Sequence, residues 1–232
     1  MRPLLLAPLL LVTAAAAPDG ERRFMVPNFD RLRVDGPFEV EVVTGPPTAV
    51  AAGDRAALDQ VAVRVDGGMM VVSAAVATWD SRVRGGATPA KVRVSVPALR
   101  SAIANGSAQV HIAEMKGTRI DLATNGSGLL EVGDVRADDL NANLSGTGTI
   151  VVAGRAKRAQ VRAFGTGLID AVALTADEAR VVNESTGPIR IAVRLIARVS
   201  ALASGAIEVA GTPECHVRGS GPVTCAGPAK AD

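Results

Sequence analysis

A short glycine-hydroxyl turn recurs seven times after residue 100, and its spacing constrains the fold more than any other feature of this chain. The copies are Asn105-Gly106-Ser107-Ala108, Asn125-Gly126-Ser127-Gly128, Ser145-Gly146-Thr147-Gly148, Phe164-Gly165-Thr166-Gly167, Glu184-Ser185-Thr186-Gly187, Ala203-Ser204-Gly205 and Gly219-Ser220-Gly221. From hydroxyl residue to hydroxyl residue the steps are 20, 20, 19, 20, 18 and 16. A period of this length is the signature of a stacked repeat.

The flanks repeat with the turns. Three residues after each hydroxyl stands Val110, Leu130, Ile150, Ile169, Ile189, Ile207 or Val223, and two residues further Ile112, Val132, Val152, Ala171, Ile191, Val209 or Cys225. Between them lie His111, Glu131, Val151, Asp170, Arg190, Glu208 and Thr224. Five residues before the hydroxyl come Leu122, Ala142, Val161, Val181, Val199 and Cys215, each preceded by a polar residue. This is period-two alternation, a strand with one face buried on either side of the turn. One such unit cannot bury its apolar stripe alone, whereas stacking like over like makes a continuous interior. The connections are too short for crossover helices. The expected fold is therefore an all-β solenoid of ~20-residue coils with two parallel sheets about 10 Å apart, joined by the G-S/T-G turns.

Residues 17–100 are strand-rich but less regular. Phe29-x-x-Leu32-x-Val34 leads through Asp35-Gly36-Pro37 into Phe38-x-Val40-x-Val42, and Val61-x-Val63-x-Val65 meets the hairpin signal Asp66-Gly67-Gly68. Thr78 to Thr88, which holds Trp79, has the composition of a loop, and Val92-x-Val94-x-Val96-Pro97 follows. No linker composition separates this half from the repeats at 101–232, so a single continuous domain over 24–227 is expected, with N-terminal strands capping the rod. At the extreme N-terminus, Arg2, the apolar run Leu4–Val12 and the small residues Ala14 and Ala16 match a secretory signal peptide over 1–16. A run of ~9 apolar residues is too short to cross a ~30 Å hydrocarbon core.

The segment Phe29 to Gly45 carries the pattern F-x-x-L-x-V-x-G-x-F-x-V-x-V-x-x-G, Val92 to Leu99 carries V-x-V-x-V-P-x-L, and serial G-S/T-G turns follow. In this order they resemble the bacterial domain-of-unknown-function family described as an autotransporter adhesin head, or head GIN, domain. The resemblance covers nearly all of the chain after the signal peptide. It implies a right-handed parallel β-helix-like superhelix without catalytic residues.

The chemistry-bearing residues do not converge. His111 and His216 fall at outward positions in separate coils, and no His/Cys/Asp/Glu spacing suits a metal. The turn hydroxyls recur without an adjacent base, which argues for bonding to turn backbone rather than nucleophilic use. Asn105, Asn125, Asn143 and Asn183 are read as turn residues sharing one position. Outward acids are Asp121, Glu131, Asp170, Glu208 and Glu214, and outward bases are Arg162, Arg180, Arg190 and Arg198. Asp170 is expected to tolerate Asn at a cost below ~0.5 kcal/mol. A formal net charge of +2 gives no field for nucleic acid, and four Phe, one Trp and no Tyr argue against base-stacking platforms. No cofactor is implied. Cys215 and Cys225, five residues on either side of Ser220, are expected to form a disulfide pinning the last coil. The function expected is that of a non-enzymatic exported cell-envelope protein, an adhesion, binding or scaffold module for protein or glycan. The alternative is a polysaccharide lyase or hydrolase on the same scaffold.

Overall fold

The computed structural model describes residues 20–75 and 90–231; the segment 1–16 read above as a signal peptide and the whole Thr78–Thr88 segment, with Trp79, lie outside them. After β8 (Ser101–Gly106) come four long bent strands, β9 (Gln109–Gly126), β10 (Leu129–Gly146), β11 (Thr149–Gly165) and β12 (Leu168–Ser185). Shorter strands complete the rod: β13 (Ile189–Ala201), β14 (Ile207–Gly211), β15 (Glu214–Gly219), β16 (Val223–Cys225) and β17 (Ala229–Ala231). Each long strand begins in one sheet, rounds a corner and ends in the other. All successive pairings are parallel, with Leu130 beside Val110 and Ile150, and Ala142 beside Leu122 and Val161. The result is a β-solenoid of about six coils.

Register explains the core. On the first sheet the column Val40, Val110, Leu130, Ile150, Ile169, Ile189 and Ile207 is buried throughout. On the second, Leu32, Ala102, Leu122, Ala142, Val161, Val181 and Val199 run parallel to it. The two sets form one contiguous apolar cluster from Phe29 to Cys215. Side-chain volume is modest at every level, which lets the two sheets lie face to face.

Chain order and spatial order part at the N-terminal end. Strands β2 (Arg31–Asp35) and β3 (Glu39–Thr44) form a complete coil within the stack, β2 pairing in parallel with β8 and β3 with β9. On their other side lie β6 (Met69–Ala74) and β7 (Lys91–Val96), also parallel. The chain thus lays down an inner coil, then an outer one, and passes back over the first to continue the rod. Capping falls to β1 (Gly20–Phe24), β4 (Thr48–Gly53) and β5 (Val61–Asp66). Here β4 is antiparallel to β7, β1 to β4, and β5 to β6. The short helix α1 (Arg55–Asp59) connects β4 to β5 and is capped by the Asp54 carboxylate, which accepts from Ala57 N at 2.7 Å. Gly67 and Gly68, both at positive φ, close the β5–β6 hairpin in two residues.

The repeated turn is held by backbone, not by its hydroxyls. Ser127 N donates to Gly106 O at 2.8 Å and Thr147 N to Gly126 O at 2.9 Å, whereas the hydroxyls of Ser107, Ser127, Thr147, Thr166 and Thr186 are exposed and unbonded among the described residues. Ser185 is the hydroxyl that does bond turn backbone, donating to Gly165 O at 3.0 Å and accepting from Gly187 N at 2.9 Å. The expectation that the repeating hydroxyls satisfy the turns is corrected accordingly. The glycine before the hydroxyl has φ near +120° at Gly126 and Gly146, and a Cβ on Gly146 would sit 2.5 Å from Gly126 O.

The asparagines do not share one position. Asn105 and Asn125 are cross-coil neighbours, Asn125 Nδ2 donating to Asn105 Oδ1 at 2.9 Å and Asn105 Nδ2 to Asp35 Oδ1 at 2.6 Å. Asn143 aligns instead with Ala123 on the outward row, and Asn183 points into the core, bonding Gly205 O at 3.0 Å. The cause is their offset, since these residues stand two, two, four and three places before their hydroxyl, and the odd count turns Asn183 inward. The column Asp35–Asn105–Asn125 also shows that Asp35-Gly36-Pro37 is an earlier copy of the turn.

Candidate functional site

With the interior filled by side chains, the surfaces available for chemistry are the outward rows of the two sheets and the corners. On the first sheet the outward row runs Arg93, Glu41, His111, Glu131, Val151, Asp170, Arg190, Glu208 and Thr224. Charges largely alternate along it and pair across coils. His111 Nδ1 lies 2.9 Å from Glu131, and Arg190 reaches Asp170 at 2.6 Å. In the neighbouring row Lys91 meets Glu39 at 2.9 Å. Opposite charges side by side stabilise a ladder, so most charges on this face are answered by a neighbour, exposed Glu208 being an exception among the described residues.

At the corner between the sheets, a concavity of about 820 Å³ is lined by acids and bases in near balance. Arg136 pairs with Asp134 at 2.9 Å, Lys157 with Asp138 at 2.7 Å and Arg194 with Asp177 at 2.8 Å. Three of the four bases lining this concavity are thus neutralised by its acids, and Arg155 is the one left without an ion pair among the described residues.

The second sheet differs. Its outward row runs Arg31, Ser101, Asp121, Asn141, Gln160, Arg180, Arg198, His216 and Lys230, one residue per coil. Toward the N-terminal end its members bond one another or a neighbour, as when Asn141 Nδ2 donates to Asp121 at 2.8 Å. From Arg180 onward the row is basic, Arg180, Arg198, His216 and Lys230, the last two set against Glu214, whose carboxylate lies 3.5 Å from His216 Nε2. Arg180 and Arg198 are exposed register partners, and neither has an ion pair or hydrogen bond among the described residues. Two shallow grooves meet at this pair, one of about 280 Å³ that also touches Gln160, Arg158 and Glu178, and one of about 140 Å³ that continues to His216 and Arg218. On the flank, Arg158 grips Asp139 with a two-pronged bond at 2.6 and 2.8 Å and holds that carboxyl below its ordinary range. Beyond, Lys230 bonds Glu214 at 2.5 Å and lowers its pKa in the same way.

Counting back from the last turn places Glu214 beside Arg198 and Cys215 beside Val199. The structure places His216 beside Arg198 and Cys215 beside Ala197, a shift of two residues. The last repeat is shortened between its strand and its turn, so distances measured from the turn no longer match earlier coils. A shift of two preserves which face each residue takes, and Cys215 remains fully buried. It is joined to Cys225 across the sheets, with Cα atoms 6.7 Å apart.

His111 and His216 lie on different sheets, and among the described residues no group of three or more His, Cys, Asp or Glu could hold a metal ion. The outward bases divide: Arg190 is paired, Arg162 stands on the row beside Arg180, and Arg180 and Arg198 are adjacent. No helix among the described residues is long and apolar enough to cross a membrane.

Comparison with known structures supports the fold. The chain is similar to a "putative adhesin" from Bacteroides fragilis, with 18% identity and a TM-score of 0.80 over 90% of this chain and 99% of that one. A "putative adhesin" from Parabacteroides merdae matches at 16% identity and TM-score 0.66, covering 92% and 96%. A "putative lipid binding protein" from Parabacteroides distasonis matches at 18% and 0.52, covering 94% and 97%. Identities this low speak to fold alone. No curated protein matches the sequence. The family model described as "Putative auto-transporter adhesin, head GIN domain" matches residues 28–213, and with the turns, sheets and register now in place the chain belongs to that family.

Proposed function

We propose that this protein is an exported, non-enzymatic binding module of the cell envelope, periplasmic or at the outer surface, that holds an external protein or glycan against the flat side of its rod. The observation that carries this reading is the second sheet's outward face, where one side chain per coil is presented in register over the length of the solenoid. A rigid ladder of this kind recognises an extended partner at many weak points, which is how adhesive contacts gain avidity. The inter-sheet disulfide suits an oxidising compartment and supports export, as does the signal-like segment 1–16. Membership of a family described as adhesin heads points the same way.

The test has two arms. Purified protein should bind isolated envelope fragments saturably, and cell fractionation should find it outside the cytoplasm. A screen against acidic and neutral polysaccharides should show no turnover. Robust depolymerisation, abolished by replacing one outward acid, would favour the enzyme reading.

A further inference from the structure

Cross-coil charge pairing is the rule on this rod. Lys91–Glu39, Arg93–Glu41, His111–Glu131, Arg158–Asp139, Arg190–Asp170 and Lys230–Glu214 each put opposite charges on neighbouring coils. Like charges do stack at the corner in Lys116, Arg136 and Arg155, but a column of Glu114 and Asp134 beside them neutralises the first two. Arg180 and Arg198 break the rule without such relief. They are direct register partners, exposed, with no acid bonded to either among the described residues; His216, whose Nε2 lies 3.5 Å from the Glu214 carboxylate, continues the column. Like charges placed directly opposite destabilise a sheet, and a local rule broken without structural gain is the mark expected of a functional site.

Resting on the binding-module reading, we propose that the column Arg180–Arg198–His216, flanked by Arg162 and Arg218, is the docking track for a linear acidic polysaccharide lying along the rod axis. The column's spacing is that of strands, about 4.8 Å per coil. It therefore offers cations at regular short intervals along a straight line, which fits a polymer bearing an anionic group on successive sugars. Guanidinium forks bind carboxylate or sulfate oxygens in pairs. The grooves shared by Arg180 and Arg198 are shallow and open along the rod, so a chain can run through rather than end there. Stacking plays little part. Phe29 and Phe38 are buried, and Phe164 is the one large aromatic residue exposed among those described. Recognition by charge thus replaces the aromatic platforms that neutral sugars use. Glu178 at the groove's edge and the Asp139–Arg158 pair set a limit on how far the positive track extends toward the N-terminal end.

The experiment uses the full protein, with polygalacturonate as the acidic probe, dextran as the neutral one, and vesicles of phosphatidylcholine with phosphatidylglycerol as the lipid one. The variants are Arg180→Gln/Arg198→Gln and, as a control of equal charge change away from the track, Arg64→Gln/Arg155→Gln. Wild-type protein should bind polygalacturonate in a salt-sensitive way and ignore dextran. Losing two charge-assisted contacts should weaken that binding by about tenfold or more, while the control binds as wild type. Thermal melting should show the track variant at least as stable as wild type, because a like-charge contact has been removed; a residue with a purely structural role would lower it. Unchanged polygalacturonate binding in the track variant, or binding to anionic vesicles with none to the polysaccharide, overturns the proposal. Wild-type protein that binds envelope fragments but not polygalacturonate also overturns it and leaves the binding-module reading standing. Protein that binds neither overturns both.

Discussion

At the scale of single residues, the structure separates positions that alternate along one strand. Ile150 is fully buried in the first-sheet column, between Leu130 and Ile169. Ile150→Asp would set a carboxylate among apolar side chains with no partner, and a loss above about 3 kcal/mol, or failure to fold, is expected in denaturant titration. Glu208→Gln, exposed on the same sheet, should change stability by less than about 0.5 kcal/mol in the same measurement. Equal losses at the two positions would contradict the assigned faces. Asp170 was expected to be equally replaceable, but it is not a bare surface acid: it bonds Arg190 and accepts from Val172 N at 3.3 Å. The sequence marks it as outward. It does not say which cation the next coil sets beside it.

At the scale of elements, the turn and the ladder each yield a prediction. Gly146 has φ +117°, and its would-be Cβ meets backbone of the preceding coil rather than a side chain able to move aside. Gly146→Ala should therefore cost about 2 kcal/mol or more, read as a lowered denaturation midpoint. On the second sheet, the bond from Arg158 lowers the Asp139 pKa. A carboxyl depressed in the folded state adds stability that is present above its unfolded pKa and is lost as pH falls through the folded value. In Arg158→Gln the Asp139 carboxyl should titrate closer to its ordinary value, which an NMR titration of side-chain carboxyls would resolve; an unmoved pKa would discount the pairing. Exposure at this site keeps the effect on stability small.

At the scale of the molecule, the rod must end without exposing its core. The N-terminal end is closed by the antiparallel strands β1, β4 and β5. The other end tapers to β16 and β17, three residues each, and is pinned by Cys215–Cys225. Replacing both cysteines by Ala should lower stability by roughly 2–3 kcal/mol for so short a loop. Hydrogen exchange should quicken first in Val223–Cys225 and Ala229–Ala231; protection unchanged there would show that the bond does not hold the end coil.

The sequence by itself determined the all-β class, the coil length, which residues face inward in the repeats and the cysteine pair. All of these follow from period-two alternation and from turns recurring at a near-constant step, and both are local properties of the chain. Tertiary structure alone decided which residues are neighbours across coils. That depends on how many residues each corner absorbs, a quantity set by hydrogen-bond register between strands far apart in sequence. The inner coil of β2 and β3 was hidden for this reason, because its partners β8 and β9 come some 70 residues later. The same register turned Asn183 inward while Asn143 faced out. It also slid the last coil by two residues, setting His216 rather than Glu214 on Arg198. A basic residue every 18 positions is unremarkable in a linear sequence, and stacking at strand spacing is what makes it a column.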